Sequence, residues 1–210
     1  MLRFVRGDER NALPERRSRL FGVACCRRHL HLIVDPRSLK ALDATERCAD
    51  GAATADDLER AYAEAFEVVA YYAEHPDRRN DKRFEAWGRA ANAVAGGCHE
   101  HELAEGVALE VLTAAEAAGL TGEPAAQSDL VRDIFGNPFQ PVAFSPAWRT
   151  ETAVSLAQRM YESRDFSAMP ILADALQDAG CDDAELLTHC RGPGPHVRGC
   201  WVVDLVLGKE

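Results

Sequence analysis

Apolar side chains recur at helical spacing along most of this chain, and the segment from Pro14 to about Val34 shows the pattern most strongly. At 100° per residue, Phe21, Cys25, His29, Leu32 and Ile33 fall on one side of a helix, while Arg16, Arg17, Arg27, Arg28 and His31 fall on the other. Such a segment forms a helix with one face in a core and one in water. Alanine and leucine fill the apolar positions elsewhere, and runs of β-branched residues are few. The expected fold class is therefore all-α: a single domain over residues 1–210, a bundle of about eight to ten helices.

Punctuation along the chain supports that reading. Asp35-Pro36 is an N-cap followed by proline at the first helical position, and Gly51 closes the helix it opens. Thr54-Ala55-Asp56-Asp57 reads as a capping box starting a helix that runs to about Glu74. After the polar connection His75 to Asp81, Phe84, Trp87 and Ala91 keep helical spacing until Gly96-Gly97, where a break is expected. A fifth helix is predicted from about His99 to Ala118 and a short one from Ala125 to Phe135, so that about 55–125 forms an alanine-rich helical region. Two prolines and a Gly-Asn pair make 136–142 a loop, and the apolar Phe135, Phe139, Val142 and Phe144 suggest that it packs on the core. Ser145-Pro146 reads as a helix start, followed by helices at 150–163, 167–179 and 182–190. Residues 200–207 read as helix, with a buried strand as the alternative because of their valines.

Composition narrows the functional classes. With 47% hydrophobic and 28% charged residues, the chain resembles a globular domain rather than a disordered or disulfide-scaffold protein. No stretch of about 18 apolar residues is present to cross a membrane. The apolar run Leu20 to Cys26 meets Arg27-Arg28 before it reaches the length of a secretory signal, so the expected location is the cytoplasm. A net charge of −10 speaks against nucleic acid as a partner. Residues 1–40 nevertheless hold ten Arg or Lys against four acids. The basic face of Arg16, Arg17, Arg27 and Arg28 is thus a candidate surface for another protein, with internal pairing or a solvated face as the alternative.

Parts of the sequence resemble a known group. The ending His189-Cys190-Arg191, His196-Val197-Arg198-Gly199-Cys200-Trp201-Val202-Val203-Asp204 and Leu207-Gly208-Lys209-Glu210 is similar to that of a large family of uncharacterised bacterial proteins expanded in planctomycetes. Cys25-Cys26-Arg27-Arg28 and Asp133-Ile134-Phe135-Gly136-Asn137-Pro138-Phe139 resemble the same family. The resemblance implies a cytoplasmic bacterial protein with a shared fold, and it brings no activity.

Seven cysteines cannot all pair within one chain and are expected as free thiols. Cys190-x5-His196-x3-Cys200, with His189 adjacent, offers thiolate and imidazole groups of the softness that Zn²⁺ or Fe²⁺ prefers. Cys25, Cys26 or His29 of the first helix could complete such a set, which places the first helix and the C-terminal segment side by side. Buried thiols and backbone-bonded histidines are the plainer reading of the same residues. Cys98-His99-x-His101 is a second grouping, read as a solvated helix start. His189-Cys190 also resembles the start of a cysteine-phosphatase loop, but arginine comes two positions late and Pro193 and Pro195 remove needed amides. Arg191 and Arg198 flank the Gly-Pro-Gly-Pro turn as candidate anion ligands, or as bridges to the protein's own acids. No Walker loop, dinucleotide fingerprint or His-Glu-x-x-His motif is present. The balance leans away from an enzyme and toward a protein-binding or regulatory module, with a metal protein or a Cys/His enzyme as the alternative.

Overall fold

The computed structural model describes residues 15–98 and 104–209. Among these, ten α-helices and three 3-10 turns occur and no strand, so the chain is an all-α multi-helix protein. The helices are α1 (Glu15–Arg27), α2 (Pro36–Ala49), α3 (Ala55–Glu74), α4 (Lys82–Cys98), α5 (Ala104–Ala117), α6 (Glu123–Phe135), α7 (Glu151–Ser163), α8 (Met169–Asp178), α9 (Ala184–Arg191) and α10 (Trp201–Leu207). No helix among the described residues is long and apolar enough to cross a membrane.

Several boundaries follow the expected chemistry. The Asp35 side chain accepts from the Arg37 amide at the start of α2, and Thr54 and Asp57 form the reciprocal capping box of α3. Residues 201–207 are helix rather than strand, closed by Gly208 in the left-handed conformation. Other boundaries differ. The first α-helix ends at Arg27, because His29 leaves helical geometry and its ring reaches Glu123; a 3-10 turn at Leu30–Leu32 follows. Gly96-Gly97 do not break α4, which continues to Cys98. Ser145-Pro146 opens only the 3-10 turn Pro146–Trp148. His99 and His101, and with them the expected start of the fifth helix, lie outside the described residues.

The chain divides into two compact units, residues up to 128 and residues 129–210, with the boundary inside α6. The first helix and the C-terminal segment fall in different units. In the first, α4 packs against α1, α2, α3 and α5. It buries Ala86, Ala90, Ala91, Ala93, Val94 and Ala95, whose small side chains let neighbouring helices approach from several directions. This packing outweighs a helix-propensity cost of about 1 kcal/mol for each glycine at 96 and 97.

In the second unit the core is formed by Ala153, Ala157 and Met160 of α7, Leu172 and Leu176 of α8, Leu186 and Cys190 of α9, and Val202, Val203 and Val206 of α10. The proline-bounded loop packs on this core through Val142 and Phe144, whereas Phe139 at its tip is 74% exposed. Gly136 has a φ of +65°, and a Cβ there would lie 3.3 Å from the Trp201 ring. Glycine is thus required both for the turn and for the approach of loop to indole.

All seven cysteines are free and all but Cys48 are buried. Burial, followed by the neighbouring Cys98 thiol, pushes Cys26 up to about 12. Native protein at pH 8 should therefore be alkylated by iodoacetamide at Cys48 well before the other six, with all seven reacting in denaturant, as read by mass spectrometry. Leu172 is fully buried, so Leu172→Ala should cost about 2–5 kcal/mol in urea unfolding.

Candidate metal centre

Asp133 lies in the last turn of α6, on the side that faces the core of its own unit, and its side chain is only 2% exposed. One carboxylate oxygen, Oδ2, accepts from the Val197 amide at 3.0 Å. The other, Oδ1, lies 2.8 Å from His196 Nδ1 and 3.2 Å from His189 Nε2. The same His189 nitrogen is 3.3 Å from Cys200 Sγ. One ligand atom from each of Asp133, His189, His196 and Cys200 lies within 4.8 Å of all the others, the only such group among the described residues.

Four local structures bring these atoms together. His189 sits in the last turn of α9, His196 follows Pro195 in the connecting loop, and Cys200 immediately precedes α10. The His189 ring meets His196 edge-on at 4.9 Å and Trp201 at 5.2 Å. Cys200 has no exposed surface.

Protons alone leave this cluster short of partners. A neutral imidazole nitrogen carries either one N–H or one lone pair, so His189 Nε2 serves the thiol or the carboxylate but not both. His196 Nε2 is buried and has no hydrogen-bond partner among the described residues. A cation on Asp133 Oδ1, His189 Nε2 and Cys200 Sγ would give those three atoms one shared partner. With bonds of about 2.0–2.1 Å to nitrogen and oxygen and about 2.3 Å to sulfur, a tetrahedral zinc site places its ligand atoms about 3.3–3.6 Å apart. The two His189 distances are close to that range, and the Asp133–His196 distance is slightly shorter. A divalent metal with one carboxylate and one thiolate is also electrically neutral, which suits burial. The donor set of two imidazoles, one carboxylate and one thiolate fits Zn²⁺ or Fe²⁺.

Electrostatics favour negative charge on the carboxylate and oppose it on the thiol. Burial pushes the Asp133 carboxyl up, but hydrogen bonds and charge from His189 and His196 outweigh it and hold the group below its ordinary value. Burial first, and then the Asp133 charge, drive the Cys200 thiol well above its ordinary value. A Cys-His-Asp relay for nucleophilic catalysis would use both nitrogens of one histidine. Here a single nitrogen of His189 faces both Cys200 and Asp133, and the sulfur is closed to substrate.

Of the metal ligands expected from sequence, His196 and Cys200 are brought together. His189, adjacent to them in the motif, joins them. Asp133 was not anticipated as a ligand; its only signal was its place in the Asp133–Phe139 stretch. Cys190 is buried in the core of the same unit and is not a member of the group. Cys25, Cys26 and His29 belong to the other unit: Cys25 and Cys26 are buried in α1, and His29 Nε2 meets Glu123 at 2.7 Å.

The candidate basic surface is largely committed to internal pairs. Arg16 bridges to Asp50 at 3.1 Å, Arg27 to Asp43 and Glu46 at 2.6 and 2.9 Å, and Arg28 to Glu123 at 3.2 Å. Arg17 is half-buried, with no partner for its Nε among the described residues. Arg191 bridges to Asp174, as the alternative for this residue expected. Arg198 donates to the Tyr161 carbonyl at 2.7 Å and covers the Tyr161 ring.

Comparison with protein-family models, curated proteins and solved structures finds no match, so the chemistry rests on this chain's own residues.

Removing Asp133 would leave the Val197 amide and two half-buried imidazoles without their acceptor. Asp133→Ala should destabilise the metal-free protein by about 3–5 kcal/mol in urea unfolding, and Asp133→Asn, which keeps the shape and an acceptor oxygen, by less.

Proposed function

We propose that the C-terminal unit is a metal-binding unit that holds one zinc ion on Asp133, His189, His196 and Cys200. The observation that carries this reading is the convergence of four donors of suitable chemistry within 4.8 Å of one another, Asp133 and Cys200 buried and His189 and His196 half-buried. Four protein ligands complete a tetrahedron and leave no position for water, which marks a structural rather than a catalytic metal. The ion would join the end of α6, the end of α9, the Gly-Pro loop and the start of α10, four short pieces that bury little apolar surface individually. Seven free thiols favour a reducing compartment such as the cytoplasm, where a thiolate ligand stays available.

On this reading the chain is a small metal-stabilised module that acts by binding or regulation. The basic face of the first helix has less support as its partner surface, because Arg16, Arg27 and Arg28 already hold acids of their own unit.

Protein purified without a histidine tag should contain close to one zinc per chain by elemental analysis. Chelation should lower its melting temperature, and readdition of zinc should restore it. Cys200→Ser and His196→Ala should each lose the metal, whereas Cys25→Ser should retain it. Metal below about a tenth of an equivalent after zinc loading and dialysis, with no change in melting temperature, would refute the reading. Iron in place of zinc at one per chain would keep the site and change the ion.

A further inference from the structure

Cys48 and Cys98 lie in the last turns of α2 and α4, and Thr45 brings them to one place. The Thr45 hydroxyl donates to the Ala41 carbonyl at 2.9 Å, which leaves its lone pairs to the Cys98 thiol at 3.0 Å. Cys98 therefore meets α2 beside Thr45, and Cys48 follows Thr45 by three residues on the same helix face. Neighbours at that spacing have Cβ atoms about 5–6 Å apart, so Cys48 stands one turn of α2 from the Cys98 sulfur. The two thiols differ in access. Cys98 is 3% exposed, whereas Cys48 is half-buried.

A cation acts on the same thiol. Arg19 of α1 holds Glu15 through Nε and Nη2 at 3.1 and 2.8 Å, but its Nη1 is buried with no partner among the described residues. The Arg19 side chain is only 10% exposed. Burial pushes the Cys98 thiol up; the Thr45 hydrogen bond and the Arg19 charge pull it back, and the Cys48 thiol adds to the rise.

The end of α4 is also able to give. Gly96-Gly97 immediately precede Cys98 in its last turn, and a Cβ at Gly97 would meet no described atom within 4 Å. Packing does not require glycine at 97, and two successive glycines leave the final turn easy to unwind. Unwinding frees Cys98 to approach Cys48 while the alanine face of α4 stays packed.

We infer that Cys48 and Cys98 are a peroxide-responsive thiol pair, which closes to a reversible disulfide between the ends of α2 and α4. The half-buried Cys48 reacts first. Its thiolate attacks hydrogen peroxide: an S–O bond forms, the O–O bond breaks, and the departing hydroxide takes a proton and leaves as water. Cys48 is then a sulfenic acid. The Cys98 sulfur attacks the Cys48 sulfur, so that an S–S bond forms and the S–O bond breaks, and the hydroxyl leaves with the Cys98 proton as a second water. Two thiols are oxidised and one peroxide is reduced. Arg19 and the Thr45 hydroxyl, which can turn to donate, stabilise the charge that develops on the Cys98 sulfur. A small dithiol restores both thiols by exchange. Cys26 also lies near Cys98, but it is 3% exposed and offers an oxidant almost no surface. The inference is independent of the metal centre, whose cysteine belongs to the other unit.

The reduced full chain, freed of reductant and treated with about two equivalents of hydrogen peroxide, tests the pair. An unreduced digest should contain a Cys48–Cys98 linked peptide by mass spectrometry, formed within a single chain on a non-reducing gel, and dithiothreitol should remove it. Cys98→Ser, which keeps a hydroxyl beside Thr45, should stop at the Cys48 sulfenic acid and be trapped there by dimedone. In Cys48→Ser, Cys98 should remain a thiol, labelled by iodoacetamide after denaturation at least tenfold more than in the oxidised unaltered chain. The inference is overturned if Cys48 passes to sulfinic acid with no linked peptide, or if it links to another thiol or to Cys48 of a second chain. It is equally overturned if the same link forms as fast in denaturant as in the native protein.

Discussion

The carboxylate of Asp133 is the constraint on which the C-terminal unit turns. A buried carboxylate is expensive unless it is paired and hydrogen-bonded, and this one receives an amide proton from Val197 and faces two imidazoles. Those contacts dictate where the Gly-Pro loop passes and how the last turn of α9 is rotated. They also bring Cys200 to the position from which α10 enters the core. A cation on these groups would convert a costly arrangement of polar atoms into a favourable one, because each donor would then face positive charge. The site and the local fold are in this sense one problem with one solution.

The N-terminal unit rests on a different device. Its central helix, α4, has a face of alanines and packs against four other helices. Small side chains permit that proximity, but they contribute little apolar area each, so buried ion pairs have more weight at the edges. Arg27 reaching Glu46, and Arg28 with His29 reaching Glu123, are examples in which charge at and just beyond the end of α1 serves its own unit. The basic face that looks like a partner surface in the sequence is in large part the complement of acids distant along the chain.

Legibility from the sequence varied with the range of the interaction involved. Asp35, Gly51 and Thr54 could be placed at helix boundaries because a cap acts within a few residues. His196 and Cys200 stood out because they are close together in a stretch dense in thiol and imidazole. Asp133 did not, since it is 63 residues from His196 and looks like any other acid on a helix. The course of α4 through Gly96 and Gly97 departs from the expected break for a related reason: helix propensity is local, and the packing that overrides it is not.

By itself, then, the sequence determined that this chain is helical, where most helices begin and end, and which segment is richest in metal-binding groups. Those properties follow from periodicity and capping, whose physics is confined to one or two helical turns. Tertiary structure decided which donors converge, that Cys190 stays in the core while Asp133 joins the cluster, that Phe139 points to solvent, and that Arg16 and Arg27 of α1 are paired with distant acids. Each of these depends on distances between segments far apart in the chain, and Coulomb and hydrogen-bond interactions act on distance in space rather than on separation in sequence.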